Sequence, residues 1–318
     1  MCYSAMVEQE LKRLARMVAT EVDFSAIEQL FSHRLQDDSI KVSRAFEANF
    51  DSPQSAVEER IKDHIDRHRA RARGELESSL FALRKRLAGA ERTLATRETK
   101  KALEDKRIAT KKIAWTMGKL GELSRTDAGE GDSRIFPFWY APVIVVQDGR
   151  RTIRPMRYHC RPNGKPESYD RQYDGLYNAR RDNLEGFWRN VFGRNHAILV
   201  AKSFYENVAL HDFERRALRQ GEKQQNVVLH FNPRSSEPML VACLWDRWTA
   251  PGKPDLYSFA AITDEPPLEV AETGHDRCIV PLEAGAIEAW LNPGPDRKAL
   301  DALLDQRARP YYEHRKAA

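Results

Sequence analysis

The chain has 318 residues, 41% of them hydrophobic, enough to fill one large domain or two smaller ones around a buried core without staples. Its 52 Lys and Arg against 47 Asp and Glu leave a formal net charge of +5, which leans toward polyanionic partners without requiring one. The four cysteines, Cys2, Cys160, Cys243 and Cys278, stand far apart with no C-x-x-C pair, so neither a metal site nor a disulfide framework nor any cofactor is expected. No apolar leader precedes Glu8, Glu10, Lys12 and Arg13, and no run is long enough to span a bilayer; the expectation is a cytoplasmic protein with no membrane partner.

From Val22 to Phe50, the residues Phe24, Ile27, Leu30, Phe31 and Leu35 recur at helical spacing and predict short helices. Between Pro53 and Pro137 there is no proline, and from Ser55 to about Leu123 the sequence is a dense mixture of Arg, Lys, Glu, Ala and Leu that reads as long helix. Ile61 and Ile65, then Leu76, Leu80, Leu83, Leu87 and Leu94, form one apolar stripe, with Gly74 and Gly89 as points where it can break. A less regular face at Leu103, Ile108, Ile113 and Met117 suits an antiparallel helical hairpin, slightly favoured, or an intermolecular coiled coil. Thr126 to Ser133 is a polar linker.

A second architecture follows. Val143 to Val146, the turn at Asp148-Gly149 and Thr152 to Met156 read as a β-hairpin. Further strands are expected at Ala197–Val200, Val227–Phe231, Met239–Leu244 and Leu256–Ile262, with Arg180–Phe192 partly helical, helices at Ala284–Leu291 and Asp296–Leu304, and a disordered polar tail. The expected fold class is α+β, a mainly β region preceded by a long α-helical segment.

Position 2 is an unusual place for a reactive cysteine, but a cysteine freed as the first residue has one special property. Its α-amine, with a reference pKa of about 7.7–8.0, lies beside a thiol of about 8.5, so an appreciable fraction of the amine is already neutral near pH 7. Such an amine forms an imine with an aldehyde, and the thiol can then close a thiazolidine ring.

The order and character of Met1-Cys2, Tyr177-Asn178-Ala179-Arg180, Phe204-Tyr205-Glu206 and Gly274-His275-Asp276-Arg277 resemble the SOS response-associated peptidase (SRAP) family. Tyr140-Ala141-Pro142, Arg154-Pro155 leading into Tyr158, and Ile287-Glu288-Ala289-Trp290-Leu291 resemble it too. The resemblance covers the extreme N-terminus and roughly residues 136–291. The chain departs from the family's M-C-G-R start, having Tyr3-Ser4 and so lacking an arginine used near DNA; Asn207 stands in the W-F-E-W motif, and Cys278-Ile279 follow the H-x-R.

The resemblance implies a β-rich core of residues 1–6 and 134–318 shaped as a distorted barrel, with residues 7–133 as a long α-helical insertion and linker, and a partner in single-stranded DNA with abasic sites, sharply bent at the lesion. Cys2 would capture the ring-opened sugar in a covalent crosslink, after autoproteolytic removal of Met1, with abasic-site lyase activity as a further property. Glu206 would move protons to open the sugar's hemiacetal, and His275 would relay them during imine formation and ring closure. Asn178 would orient the amine or the oxygen-bearing intermediate. Arg180 is the first candidate for a phosphate contact, with Arg181 and Arg161 weaker ones. Trp139, Tyr158 and Tyr177 are candidates for base stacking. Two other readings stay open: a non-covalent DNA- or partner-binding module whose helical arm oligomerises or recruits a protein, and a cysteine peptidase acting in trans.

Overall fold

The computed structural model describes residues 3–317. In chain order its elements are β1 (Ser4–Val7), α1 (Leu11–Met17), β2 (Glu21–Val22), α2 (Phe24–Arg34), β3 (Lys41–Val42), α3 (Arg44–Glu47), α4 (Ala56–Thr96) and α5 (Lys100–Ser124). Then come β4 (Arg134–Ile135), β5 (Trp139–Gln147), β6 (Arg150–Tyr158), α6 (Tyr169–Gln172), β7 (Asn178–Arg180), β8 (His196–Ala209), α7 (Leu210–Phe213) and β9 (Asn226–Pro233). The last third holds β10 (Met239–Trp248), β11 (Leu256–Asp264), α8 (Leu268–Ala271), β12 (Cys278–Ile279), β13 (Pro281–Leu282), α9 (Ile287–Leu291), α10 (Arg297–Asp305) and β14 (Tyr312–Lys316). The class is α+β, with a β-rich core and a long helical region.

Five strands close on themselves. β8 pairs β10, β10 pairs β11, β11 pairs β6, β6 pairs β5, and β5 returns to β8. Four of these seams are antiparallel; the fifth, β11 to β6, is parallel and rests on only Ser258↔Arg157 and Phe259↔Tyr158, which makes the barrel distorted. Both faces of the ring are buried. Val143 and Val145 turn to one apolar cluster with Met156, Leu199, Val241 and Phe259, while Ile144 turns to another with Ile153, Ile198, Leu244 and Ile262. That double burial is why Val143 to Val146 is continuously apolar rather than alternating. The second cluster is capped by helices, through Leu14, Ile27, Phe31 and Trp290 among others.

α4 starts where Ser55 accepts the Glu58 N–H at 3.3 Å and Glu58 reaches back to the Gln54 N–H at 2.9 Å. Ile61 and Ile65 anchor its first turns in the core with Leu30, Phe31, Phe46 and Phe50. The helix then runs without a break through Gly74 and Gly89, contrary to the expectation of an interruption, because neither position faces a neighbour that demands a bend. The break comes later, at residues 97–99, where Thr99 caps α5 through the Ala102 N–H. The two helices form the hairpin: Arg86 pairs with Asp105 and Arg73 donates to Ser124, the pairing order of antiparallel helices.

Other elements depart from the sequence reading. Residues 181–192 hold a single 3-10 turn, Arg181–Asn183, followed by turns rather than a helix. The polar tail is ordered as β14, antiparallel to β9 from Tyr312↔Pro233 to Lys316↔Leu229. Buried Tyr312 holds it, packing edge-on against Phe204 at 5.1 Å. β1 and α1 also lay outside the sequence expectations.

Candidate functional site

β8 is 14 residues long and runs past the ring, gaining β1 on one edge and β9 on the other. Glu206 lies in this extension, opposite Leu229 of β9 and one residue from the Ser4↔Tyr205 pair of β1. With strands on both sides and Phe204 and Phe231 stacked at 5.0 Å in the cluster below, its side chain has no exposed surface. Burial pushes its carboxyl up to about 8, although the backbone N–H of Tyr3 pulls the other way.

His275 meets it from a loop. The chain leaves α8 through Thr273, whose hydroxyl donates to the Val270 carbonyl at 2.7 Å, and turns at Gly274 with φ +90°. A Cβ there would stand 2.6 Å from the Asp212 Cβ, so both conformation and space call for glycine. His275 Nε2 then lies 3.3 Å from Glu206 Oε2. Burial lowers the imidazole to about 4, so it is neutral at pH 7. Its Nδ1 stands 2.8 Å from the Arg277 carbonyl, which accepts an N–H and leaves Nε2 as the lone-pair atom facing Glu206. The 3.4 Å approach of the Arg277 N–H to the same Nδ1 is longer and secondary. At neutral pH the pair is therefore a carboxylic acid and a neutral imidazole rather than an ion pair.

Asn178 is buried at the start of β7, which lies parallel to β11 with Asn178 opposite Ala261. The β7 segment is tied to the His275 loop by Asp182, which binds Arg180 at 2.7 Å and Arg277 at 3.1 Å. Arg180 is half-exposed at the head of that bridge. The other two predicted arginines are engaged with carboxylates. Arg181 pairs with Asp264, Asp301 and Asp305, and Arg161 is buried against Asp170 with its guanidinium 4.5 Å from the Trp248 ring centre. Among the proposed stacking residues, Tyr158 is buried on Phe259 at 5.2 Å and edge-on to Tyr177 at 5.6 Å, whereas Trp139 is half-buried beside Phe136 at 5.5 Å.

Cys2 lies outside the described residues. Cys160, Cys243 and Cys278 are buried free thiols, and burial raises all three out of the nucleophilic range, Cys160 to about 12. Among the described residues there is no cluster of side chains able to hold a metal ion. Among the same residues no helix is long and apolar enough to cross a membrane.

The family model described as SOS response associated peptidase (SRAP) matches residues 95–316. The chain belongs to the SRAP family. This membership associates it with the response to DNA damage. Glu206, His275 and the Asn178 segment all fall inside the matched span, as does α5. Comparison with curated proteins gives no match. Among solved structures, the SRAP chain is similar to a protein from Bacteroides thetaiotaomicron at 15% identity and TM-score 0.46, covering 58% of this chain and 77% of that one. It is also similar to a protein from Bordetella bronchiseptica at 22% identity and TM-score 0.45, covering 60% and 90%. A phage-related protein from Bordetella bronchiseptica, at 18% identity and TM-score 0.45, covers 61% and 84%.

Sequence motifs singled out Glu206 and His275, which the structure brings together. They did not point to Asp182 or Arg277 as the clasp between segments, although Asp182 stands two residues after the N-A-R run. They also gave no sign of Arg134, which lies close to β1 and β8 and has no motif of its own.

Proposed function

We propose that this SRAP chain is an abasic-site sensor that crosslinks itself to single-stranded DNA through Cys2. The observation that carries the reading is the buried Glu206–His275 contact, an acid and a base with inverted acidities, on the strand whose Tyr205 carbonyl accepts the Tyr3 N–H at 3.2 Å. Autoproteolytic release of Met1 would free the Cys2 amine. The protonated Glu206 carboxyl would donate to the ring oxygen of the abasic sugar as the hemiacetal opens, and neutral His275 would accept a proton. The amine adds to the aldehyde, water leaves to give an imine, and the thiol adds across it, its proton passing to nitrogen, to close a thiazolidine. Asn178 is assigned to orienting the amine or the oxygen of the intermediate, and Arg180, ahead of Arg181 and Arg161, to a phosphate beside the lesion. Lyase activity would follow if the imine eliminates before the thiol closes the ring.

The same proposal keeps residues 1–6 and 134–318 as the core and residues 7–133 as helical insertion and linker. Within it, the hairpin is assigned to a protein partner or a second copy, since Phe81 and Trp115 lie largely exposed on it.

The test is intact mass and a denaturing gel after mixing the protein with single-stranded DNA carrying one abasic site, beside Cys2→Ala and undamaged DNA. The expected result is an adduct that survives denaturation, requires the lesion, is lost in Cys2→Ala and comes with Met1 missing. No adduct from a chain with a free Cys2 terminus would move the weight to non-covalent binding.

A further inference from the structure

The buried and half-buried arginines among the described residues are neutralised with one exception. Every other arginine among the described residues that is buried or half-buried lies within 4.0 Å of a carboxylate oxygen. Arg134 of β4 is half-buried and has no such partner. Its Nε and one terminal nitrogen donate to Ser4 Oγ at 3.0 and 2.8 Å, a neutral acceptor that leaves the charge uncompensated. The nearby acid, Glu130, is held instead by Arg315 at 2.9 Å. Burial works against the charged guanidinium and lowers its pKa.

The surroundings fix how this cation is presented. The guanidinium lies over Tyr205, 3.5 Å from the ring centre, and 4.8 Å from that of Phe136. Tyr205 is itself stacked on His230 at 4.1 Å with the planes 5° apart, and His230 Nε2 is 2.7 Å from Ser203 Oγ. Arg134 is thus held rigid by an aromatic ladder, and its other terminal nitrogen has no hydrogen-bond partner among the described residues. Phe136 continues the aromatic row to Trp139 at 5.5 Å and Tyr3 at 5.9 Å. A preorganised cation beside half-exposed rings is the combination that binds a single-stranded backbone with its bases stacked alongside.

We propose that Arg134 is a phosphate-binding residue for single-stranded DNA, gripping the backbone on the outer face of the strand whose inner face carries Glu206. Tyr205 and Glu206 are successive residues of β8 and point to opposite faces, so the phosphate at Arg134 flanks the lesion rather than belonging to the sugar under attack. This rests on the reading of the site as one that receives DNA. Phosphate contacts position the strand without reading its sequence, so the effect belongs to undamaged DNA as well.

The experiment measures anisotropy of a fluorescein-labelled undamaged oligothymidylate against wild type, Arg134→Gln, Arg134→Met and Arg134→Lys across a potassium chloride series. Arg134→Gln keeps a donor for Ser4 and loses only the charge; Arg134→Met is a second neutral variant, and each is compared where its melting temperature matches wild type. The expected result is roughly tenfold weaker binding of the neutral variants at low salt. The slope of log affinity against log salt should be shallower by about 0.7, the share of one single-stranded phosphate contact, with the slope retained in Arg134→Lys. Neutral variants with the wild-type slope would overturn the assignment while leaving the DNA reading intact. Wild type that shows no salt-dependent binding would overturn the DNA reading and this assignment together.

Discussion

Glu206 keeps its proton where an ordinary carboxyl has lost it, and this makes the site a cost to folding at alkaline pH. In the unfolded chain its pKa returns to about 4.5, against about 8 in the fold. Between those values the unfolded state has released a proton that the folded state retains, so stability falls as pH rises through that window and levels off above it. Each unit of difference is worth about 1.4 kcal/mol. His275 works in the opposite direction, with about 4 in the fold against 6.5 outside it, so its contribution is lost as pH falls through that range. The amide of Glu206→Gln imitates the protonated acid toward His275 Nε2 but does not ionise. The variant should match wild type near pH 4, exceed it increasingly toward pH 8, and lose adduct formation. Urea denaturation across that range, beside the denaturing-gel assay, reads both; a constant stability difference across pH would exclude buried Glu206 as the titrating group. At this scale the sequence was informative where a motif existed. It named Glu206 and His275, but it carried no sign that Arg134 lacks a carboxylate, because the pairing of the other arginines is set by contacts between distant segments such as Arg181 with Asp264 and Asp301.

Elements were legible in proportion to how local their causes are. The hairpin helices follow from proline-free sequence and the Ser55 and Thr99 caps, and their leucine stripe is half-buried because a two-helix arm has no third layer to cover it. Gly74 and Gly89 were read as weak points, yet α4 passes through both, held by its neighbouring turns and by α5 rather than by those residues. A methyl group at Gly89 would meet no atom within 4 Å. Gly89→Ala should therefore stabilise the chain by about 1 kcal/mol, the helix-propensity difference, with adduct formation unchanged. A thermal melt showing a lower midpoint would mean that Gly89 faces a neighbour under solution conditions. Gly274 predicts the reverse. Its φ of +90° and the 2.6 Å approach of Asp212 mean that Gly274→Ala must displace the loop that delivers His275, lowering adduct yield more than a strain of about 1–2 kcal/mol would by itself. The long strands announced themselves as apolar runs, whereas β1 and β14 did not: β1 is only four residues long, though all are buried, and β14 is polar and exposed beyond Tyr312.

At the scale of the molecule, both termini of the described chain brace the same place. β1 lines one edge of the β8 extension, and β9, which lines the other, is itself paired by β14. Beyond its ladder with β9, β14 is anchored by Tyr312, which is buried, edge-on to Phe204, donates its hydroxyl toward Met239 Sδ at 3.4 Å, and donates its backbone N–H to Glu269 Oε1 at 3.0 Å. The remaining residues, Glu313 to Lys316, are exposed or half-exposed and polar, which is why the segment reads as a disordered tail until its partner strand is known. Tyr312→Ala should open a cavity beneath Phe204, two residues from Glu206 on the same face of β8, at a cost of about 3–5 kcal/mol. Tyr312→Phe removes only the hydroxyl and should cost about 1 kcal/mol. Because Phe204 and Phe231 form the floor under Glu206, the larger variant should also let water reach the carboxyl and bring its pKa back toward 4.5. The adduct's rate profile would then shift to lower pH, whereas Tyr312→Phe leaves it in place. A Tyr312→Ala variant that loses stability but keeps the wild-type pH profile would show that β14 supports the fold without maintaining the dryness of the site.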